Sequence, residues 1–309
     1  MIQVSEKIYI ISTELLNTKD WLSTYLIIGS EGAMLIDPGP SVNVNGLIEI
    51  IRREFSNINI KYVGVTHIHL DHGGGLGELT KVLGDIRIFV HPRGIKHLVD
   101  PTRLWEASKE VLGEMALFFR PPQPIDPNKI FGLEDNSCID LGDITIRAIH
   151  TPGHAPHHVS YIIEPETVLI AGDALGNLYN SRVYPVTVPP FNLLEYLNSI
   201  NKLSKFNYNI VSVAHFGYVK EEPEVFIQRV KDKAIAWAHM IADLMKSGYD
   251  QPADIYRKLL EEDLELRYMV MFREKYEMFK GTSYRAVLGM YQSIKELIGS
   301  NLNYYLKIL

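Results

Sequence analysis

Thr66-His67-Ile68-His69-Leu70-Asp71-His72 follows the apolar run Tyr62-Val63-Gly64-Val65, and the rest of the chain is read outward from it. The run is short and partly β-branched, as strands are, and the end of a strand is where a loop directs side chains to a common point. His67 and His69 are two residues apart, so a locally extended backbone turns both imidazoles to one side. Asp71 and His72 come next, and Gly73-Gly74-Gly75 let the backbone pass close to whatever the loop encloses. Three histidines and an aspartate within six positions are costly to bury without a cation or a set of partners. Imidazole mixed with carboxylate suits zinc, iron or manganese, whereas magnesium and calcium favour oxygen ligands. The competing reading, a histidine-rich polar cap on a strand, is weakened by ligands further along the chain.

The 309 residues are 46% hydrophobic with a mean hydropathy of -0.02, the composition of a soluble globular protein with a large core and room for an accessory region. Charges of both signs are spread along the chain and sum to -6, so there is no basic stripe for nucleic acid. Cys138 is the sole cysteine. It excludes an intrachain disulfide and a cysteine-based zinc site, and is expected to be a buried small hydrophobe. Met1-Ile2-Gln3-Val4-Ser5-Glu6 lacks the basic and apolar regions of a signal peptide, and no stretch approaches the ~20 apolar residues of a membrane span. A cytoplasmic protein with no membrane partner is the expectation.

Strands are predicted at Ile8-Tyr9-Ile10-Ile11, Thr24-Tyr25-Leu26-Ile27-Ile28 and Ala33-Met34-Leu35-Ile36, the last closed by Asp37-Pro38-Gly39. Leu47, Ile48, Ile51 and Phe55 recur at helical spacing, so 42–55 is predicted as an amphipathic helix. Leu76, Leu79 and Leu83 predict a helix that begins in the glycine run, and Arg87-Ile88-Phe89-Val90 a further strand. Residues 91–138 are less regular. The prolines of Arg120-Pro121-Pro122-Gln123-Pro124-Ile125-Asp126-Pro127 forbid helix there, and the stretch reads as an insertion over one face of the core, with Trp105, Phe118 and Phe119 read either as lining a substrate cavity or, in preference, as packing the insertion down. Strand patterns resume at 144–149, 159–163, 167–170 and 210–213, with a helix over 192–203. Beyond Gly217 the period turns helical: Phe226, Val230, Ala234, Trp237, Ile241 and Leu244 mark one long helix ending at Ser247-Gly248. A second helix follows Pro252. A last one, capped by Thr282 or Ser283, carries Val287, Met290, Ile294 and Leu297. The expected organisation is a catalytic domain over 1–220, with 91–138 inserted over its active face, and a helical region over 221–309. Its apolar tail, Tyr304-Tyr305-Leu306-Lys307-Ile308-Leu309, is expected to dock, a second subunit being one candidate.

Three further positions follow strand-like runs: His154 in Thr151-Pro152-Gly153-His154, Asp173 in Ala171-Gly172-Asp173, and His215 in Val213-Ala214-His215. Alone, Asp173 reads equally as a turn cap and His215 as a satisfied core histidine. Together with the first loop these segments resemble the metallo-β-lactamase superfamily, in family order over about residues 4–217. The resemblance implies an α/β (α+β) fold, the four-layer αβ/βα sandwich, with a two-metal centre at one edge. It implies that His67, His69 and His154 hold one divalent ion, that Asp71, His72 and His215 hold a second, and that Asp173 bridges them. Zinc is the expected metal, with iron and manganese accepted by the same ligands. It further implies an enzyme, a hydrolase of a small-molecule substrate in which a metal-bridging hydroxide attacks while Asp71 and Asp173 manage protons.

The Thr-Pro-Gly-His segment with Asp173 is most similar to the glyoxalase II branch, which hydrolyses thioesters. After Asp173, however, Leu175-Gly176-Asn177-Leu178-Tyr179 replaces the Gly-Cys-Gly-Arg segment of many such enzymes, and Gly176 stands where quorum-quenching lactonases carry tyrosine. Tyr179, Arg182 and Tyr184 are candidate donors from the same loop. His157 stands where the family commonly has glycine; His158 reads equally as a turn cap and as a residue that orients a ligand. His91, His97, His150 and His239 read as structural. The expectation is therefore a glyoxalase II-like hydrolase of an ester, thioester or lactone. The alternative is a mono-iron persulfide dioxygenase of the same fold.

Overall fold

Alternation of side chains builds the first sheet. In β1 (Ile2–Gln3), β2 (Ile8–Ile11), β3 (Thr24–Gly29) and β4 (Gly32–Ile36) each strand pairs antiparallel with the next. Ile8, Ile10, Tyr25, Ile27, Met34 and Ile36 enter one core while Ile11, Leu26, Ala33 and Leu35 enter another. Successive residues point to opposite faces of a strand, so a sheet buried on both sides reads as an almost continuous apolar run. This is a computed structural model of the protein, describing residues 1–55 and 58–305.

The predicted helix becomes α1 (Val44–Glu54), whose Val44, Leu47, Ile48 and Ile51 fall on one stripe against the first sheet. It carries the chain over to β5 (Ile60–Gly64), which pairs parallel with β4. The ligand loop and α2 (Leu70–Gly73) follow, then α3 (Leu76–Leu83) leads to β6 (Arg87–Val90), parallel to β5. The region 91–138 holds α4 (Ile95–Val99), α5 (Thr102–Leu112) and α6 (Glu114–Phe119), then an extended proline segment. It ends in β7 (Ile130–Gly132), which pairs with β6 and completes a seven-stranded sheet in sequential order. Phe119 is buried and stacks on Trp21 at 6.1 Å, whereas Phe118 is 41% exposed. Only the first packs the segment down.

The second sheet takes β8 (Cys138–Asp140), β9 (Thr145–His150), β10 (Val159–Glu164) and β11 (Val168–Ile170), each antiparallel to the next. The hairpin β12 (Asn177–Tyr179) and β13 (Arg182–Tyr184) forms a sheet of its own. The chain then returns through β14 (Ile210–Val213), parallel to β11, and β15 (Gly217–Tyr218). Ile139, Ile146, Ala148, Val159, Tyr161, Ile163, Val168 and Ile170 meet the inner residues of the first sheet in one core. Its large polar tips are satisfied: Tyr161 donates to Val65 O at 2.7 Å, and Tyr25 donates to Val213 O at 2.9 Å. Cys138 is exposed, not buried, because β8 is a short edge strand on which only the alternate residue Ile139 turns inward.

Contacts divide the chain into two compact units. One comprises Met1–His150, Pro156–Gly172 and Asn207–Val219, and contains both large sheets; the other comprises Thr151–Ala155, Asp173–Phe206 and Lys220–Leu309. The second is mainly helical: α7 (Leu193–Leu203), α8 (Pro223–Lys246), α9 (Pro252–Glu262), α10 (Leu264–Phe272) and α11 (Thr282–Tyr305). Phe226, Val230, Ala234, Trp237 and Ile241 bury one side of α8, and Val287, Met290 and Ile294 one side of α11. The start of α11 is capped differently from the sequence expectation. Thr282 Oγ1 turns back to Phe279 O, and the carboxylate of Glu274 accepts from Gly281 N and Ser283 N. A carboxylate satisfies free N–H groups at a helix start and complements its dipole. Of the tail expected to dock, residues 306–309 lie outside the described residues.

Candidate metal centre

The ligand loop is shaped from behind. Asp37, which the sequence presents as a strand terminator, is fully buried with φ of 53°. Its Oδ1 accepts from Thr66 N at 2.7 Å and its Oδ2 from Thr66 Oγ1 at 2.8 Å, and His72 Nδ1 lies 2.9 Å from Oδ2. Gly172 is the other constraint. At φ +59°, a Cβ added there would come within 2.6 Å of His158 Nε2 and 2.8 Å of Thr66 Cβ. The backbone can press on the ligand loop there only because the residue is glycine.

Within the first unit, His67 and His69 follow β5, Asp71 and His72 form the first turn of α2, and His215 follows β14. His67 Nε2 lies 2.9 Å from His69 Nδ1. Two nitrogens each ~2.0 Å from a tetrahedral ion would lie roughly 3.3 Å apart, so this pair is nearly in ligand geometry. His72 Nε2 is 3.6 Å and His215 Nε2 3.5 Å from Asp71 Oδ2, and these three side chains form one potential metal-holding group. His215 is oriented from its far side, its Nδ1 lying 2.8 Å from Trp21 O. With Nδ1 engaged on a carboxylate or carbonyl, Nε2 is the ring atom offered to an ion. Burial opposes charge on Asp71, but the imidazoles of His72 and His215 outweigh it and hold its carboxyl far below the usual range.

In the second unit, His154 and Asp173 repeat the pattern. His154 Nδ1 lies 2.8 Å from Val186 O, and Nε2 is 3.3 Å from Asp173 Oδ2. Gly153 fits tightly below: at φ +131°, a Cβ there would meet the backbone N of Tyr196 at 2.4 Å. The donor set of imidazole nitrogens and carboxylate oxygens fits zinc, iron or manganese.

His158 is fully buried with its ring 5.1 Å from that of His67, and the His157 ring is 5.8 Å from that of His69. Both therefore border the ligand loop. His91 and His150 pair with each other, ring centroids 4.1 Å apart; burial, then the neighbouring His150, pushes His91 down to about 4. Of the three donors expected from the loop after Asp173, Arg182 is spent on the Tyr268 ring, 3.8 Å from its centroid, and Tyr179 donates to Phe272 O at 3.4 Å. Tyr184 is buried with its hydroxyl unpartnered. Asp37 and Thr66 were the functional positions that sequence reasoning passed over. The one available signal was an acidic residue placed at the end of a strand next to the one leading to the ligand loop.

A model of the metallo-beta-lactamase superfamily matches residues 23–215, well over half of the chain. The chain belongs to that superfamily. This metallo-beta-lactamase-fold protein is 29% identical over 214 residues to the metallo-beta-lactamase fold-containing protein ST1585 of Sulfurisphaera tokodaii, covering 68% of the chain and 77% of the relative. The crystal structure of ST1585 overlays with a TM-score of 0.64 over 74% of this chain and 86% of that one, at 27% identity. A metallo-beta-lactamase family protein of Thermus thermophilus, TTHA1429, matches in fold over 96% of this chain and 95% of its own, with a TM-score of 0.71 and 20% identity. An atrochrysone carboxyl ACP thioesterase of Aspergillus fumigatus is 22% identical over 214 residues, 69% of this chain and 41% of that protein. The mixed α/β sandwich with a helical C-terminal region is thus the fold, and divalent metal use follows from the family and the His/Asp groups. Among the described residues no helix is long and apolar enough to cross a membrane.

Proposed function

We propose that this protein is a dinuclear metal-dependent hydrolase of a small ester, thioester or lactone, of the glyoxalase II-like kind. The observation that carries the reading is the orientation of the imidazoles: Nδ1 of His72, His154 and His215 is engaged on Asp37, Val186 O and Trp21 O, which leaves each Nε2 beside an aspartate. In this reading His67, His69 and His154 hold one ion, Asp71, His72 and His215 the other, and Asp173 bridges. Two divalent ions bound there would lower the pKa of a water towards ~7 and polarise the acyl oxygen. The side chains supply the rest. Asp71 stays ionised and keeps its negative charge among the imidazoles. Hydrolysis adds OH to the acyl carbon and a proton to the departing oxygen or sulfur; the carboxylate of Asp173 is the group proposed to carry that proton, while Asp71, held ionised, is proposed as a ligand. Relatives named as thioesterases, from Aspergillus fumigatus and from Emericella nidulans, support an acyl substrate.

Elemental analysis of protein purified without added metal, together with assays on a panel of thioesters, esters and lactones, tests the reading. Close to two ions per chain with turnover of a panel member is the expected result. One iron per chain with oxygen uptake on a persulfide, and no hydrolysis, would replace it with sulfur oxidation.

A further inference from the structure

The acceptor that orients His215 belongs to a loop with an unusual backbone. Between β2 and β3, Leu16, Asn17 and Asp20 have φ of 49°, 55° and 54°, values that side-chain-bearing residues seldom adopt. A loop of this kind keeps its shape only when its surroundings impose it. Several contacts of the first unit do so. Asn43 Nδ2 donates to Thr13 Oγ1 at 2.7 Å, Asp20 N donates to Ser12 Oγ at 3.0 Å, and Leu15 and Thr18 exchange backbone hydrogen bonds.

Trp21 stands at the end of this loop and is 1% exposed. Its indole is held at the edge, where Nε1 donates to Thr13 O at 2.8 Å, and on a face, where Phe119 stacks with centroids 6.1 Å apart and planes 15° apart. Its carbonyl lies 2.8 Å from His215 Nδ1. A carbonyl can only accept, so Nδ1 carries the hydrogen and Nε2 keeps the lone pair that a metal ion requires. The backbone around His215 is fixed separately: Ser23 N donates to Ala214 O at 2.7 Å, and Ser23 Oγ accepts from Gly217 N at 2.9 Å. What Trp21 adds is therefore the direction and tautomer of the ring. Phe119 comes from the other side of this contact, from a helical arm in which α5 buries no residue and α6 buries only Ala116 and Phe119.

We propose that Phe119 is a positioning residue for His215, acting through Trp21: the stacked ring holds the indole where its carbonyl receives the Nδ1–H of the histidine. The arm thus helps to set the group of Asp71, His72 and His215. The proposal rests on the dinuclear reading for the role of His215 as a ligand.

The test uses the full-length protein stripped of metal, with its histidine rings labelled with nitrogen-15 and observed by NMR at pH 8. His215→Gln identifies the His215 signals. Wild type is expected to show the Nδ1–H tautomer at His215. Phe119→Leu keeps an apolar anchor but removes the ring face, and is expected to show a mixture of tautomers; Phe119→Tyr restores the single form. Titration with Co2+ gives the second readout. In Phe119→Leu the binding step that is missing from His215→Gln is expected to weaken about tenfold, with the other step unchanged. Leu98→Ala, a truncation in the core beneath the first sheet, lowers the Tm and is expected to leave the tautomer as in wild type. A wild-type tautomer in Phe119→Leu, or the same mixture in Leu98→Ala, overturns the proposal. One Co2+ per wild-type chain, with the tautomer lost in Phe119→Leu, keeps the positioning role and discards the two-ion reading; two ions with an unmoved tautomer do the reverse.

Discussion

His72 Nδ1 lies 2.9 Å from Asp37 Oδ2, and both side chains are fully buried. One carboxylate at the end of β4 therefore sets the direction in which His72 presents Nε2, and through Thr66 it also fixes the first residue of the ligand loop. A neighbouring strand end thus holds the loop from behind.

Replacing Asp37 with asparagine puts N–H donors where acceptors are required. Metal affinity is expected to fall about 10–100-fold, the usual loss when the partner of a ligating histidine is removed. Competition against a chelator, read by metal retained per chain, checks this; retention equal to wild type would remove Asp37 from the metal centre.

His69 places Nδ1 2.9 Å from His67 Nε2. His69→Ala is expected to lose both metal retention and hydrolysis. A variant that kept full turnover would sink the hydrolase assignment.

Gly172→Ala introduces a methyl group 2.6 Å from His158 Nε2 at a backbone angle of +59°. Overpacking of this kind costs about 1–3 kcal/mol, so the urea midpoint is expected to drop and bound metal with it. An unchanged midpoint would show that Thr66 and His158 can yield, contrary to the tight fit described.

Asp263 ties the helices of the second unit together. Its Oδ2 accepts from Trp237 Nε1 at 2.6 Å and pairs with Lys233 Nζ at 2.7 Å, while Oδ1 accepts from Leu266 N at the start of α10. Asp263→Ala breaks a buried pair and is expected to cost about 3–5 kcal/mol. Burial opposes the charge, but Lys233, the Leu266 N–H and Trp237 outweigh it and hold the carboxyl below its ordinary value. As pH falls, the unfolded chain therefore takes up the proton first. The stabilisation is complete above the ordinary value of about 3.9 and is lost as pH drops through the lower folded one. The Tm gap between wild type and Asp263→Asn should be wide at neutral pH and close in strong acid. A gap that stayed constant down to acid pH would assign the effect to packing.

The amino-acid sequence by itself determined the inner strands of both sheets, the long α8 and the ligand loop, whereas the short edge strands β1, β7, β8 and β15 carry too few residues for a pattern to show. Period-two and helical patterns record which face is buried, and His67, His69, Asp71 and His72 are neighbours along the chain. Tertiary structure alone decided what holds those ligands in place. Asp37 is 35 residues from His72, and the acceptors for His154 and His215 are backbone carbonyls 32 and 194 residues away, which carry no residue identity to read. The same limit explains Glu274 at the start of α11, where a nearby threonine matched the capping pattern and a carboxylate from the preceding turn took the N–H groups. Local chemistry is written in order along the chain, whereas burial and hydrogen-bond supply are set by segments that meet only when it folds.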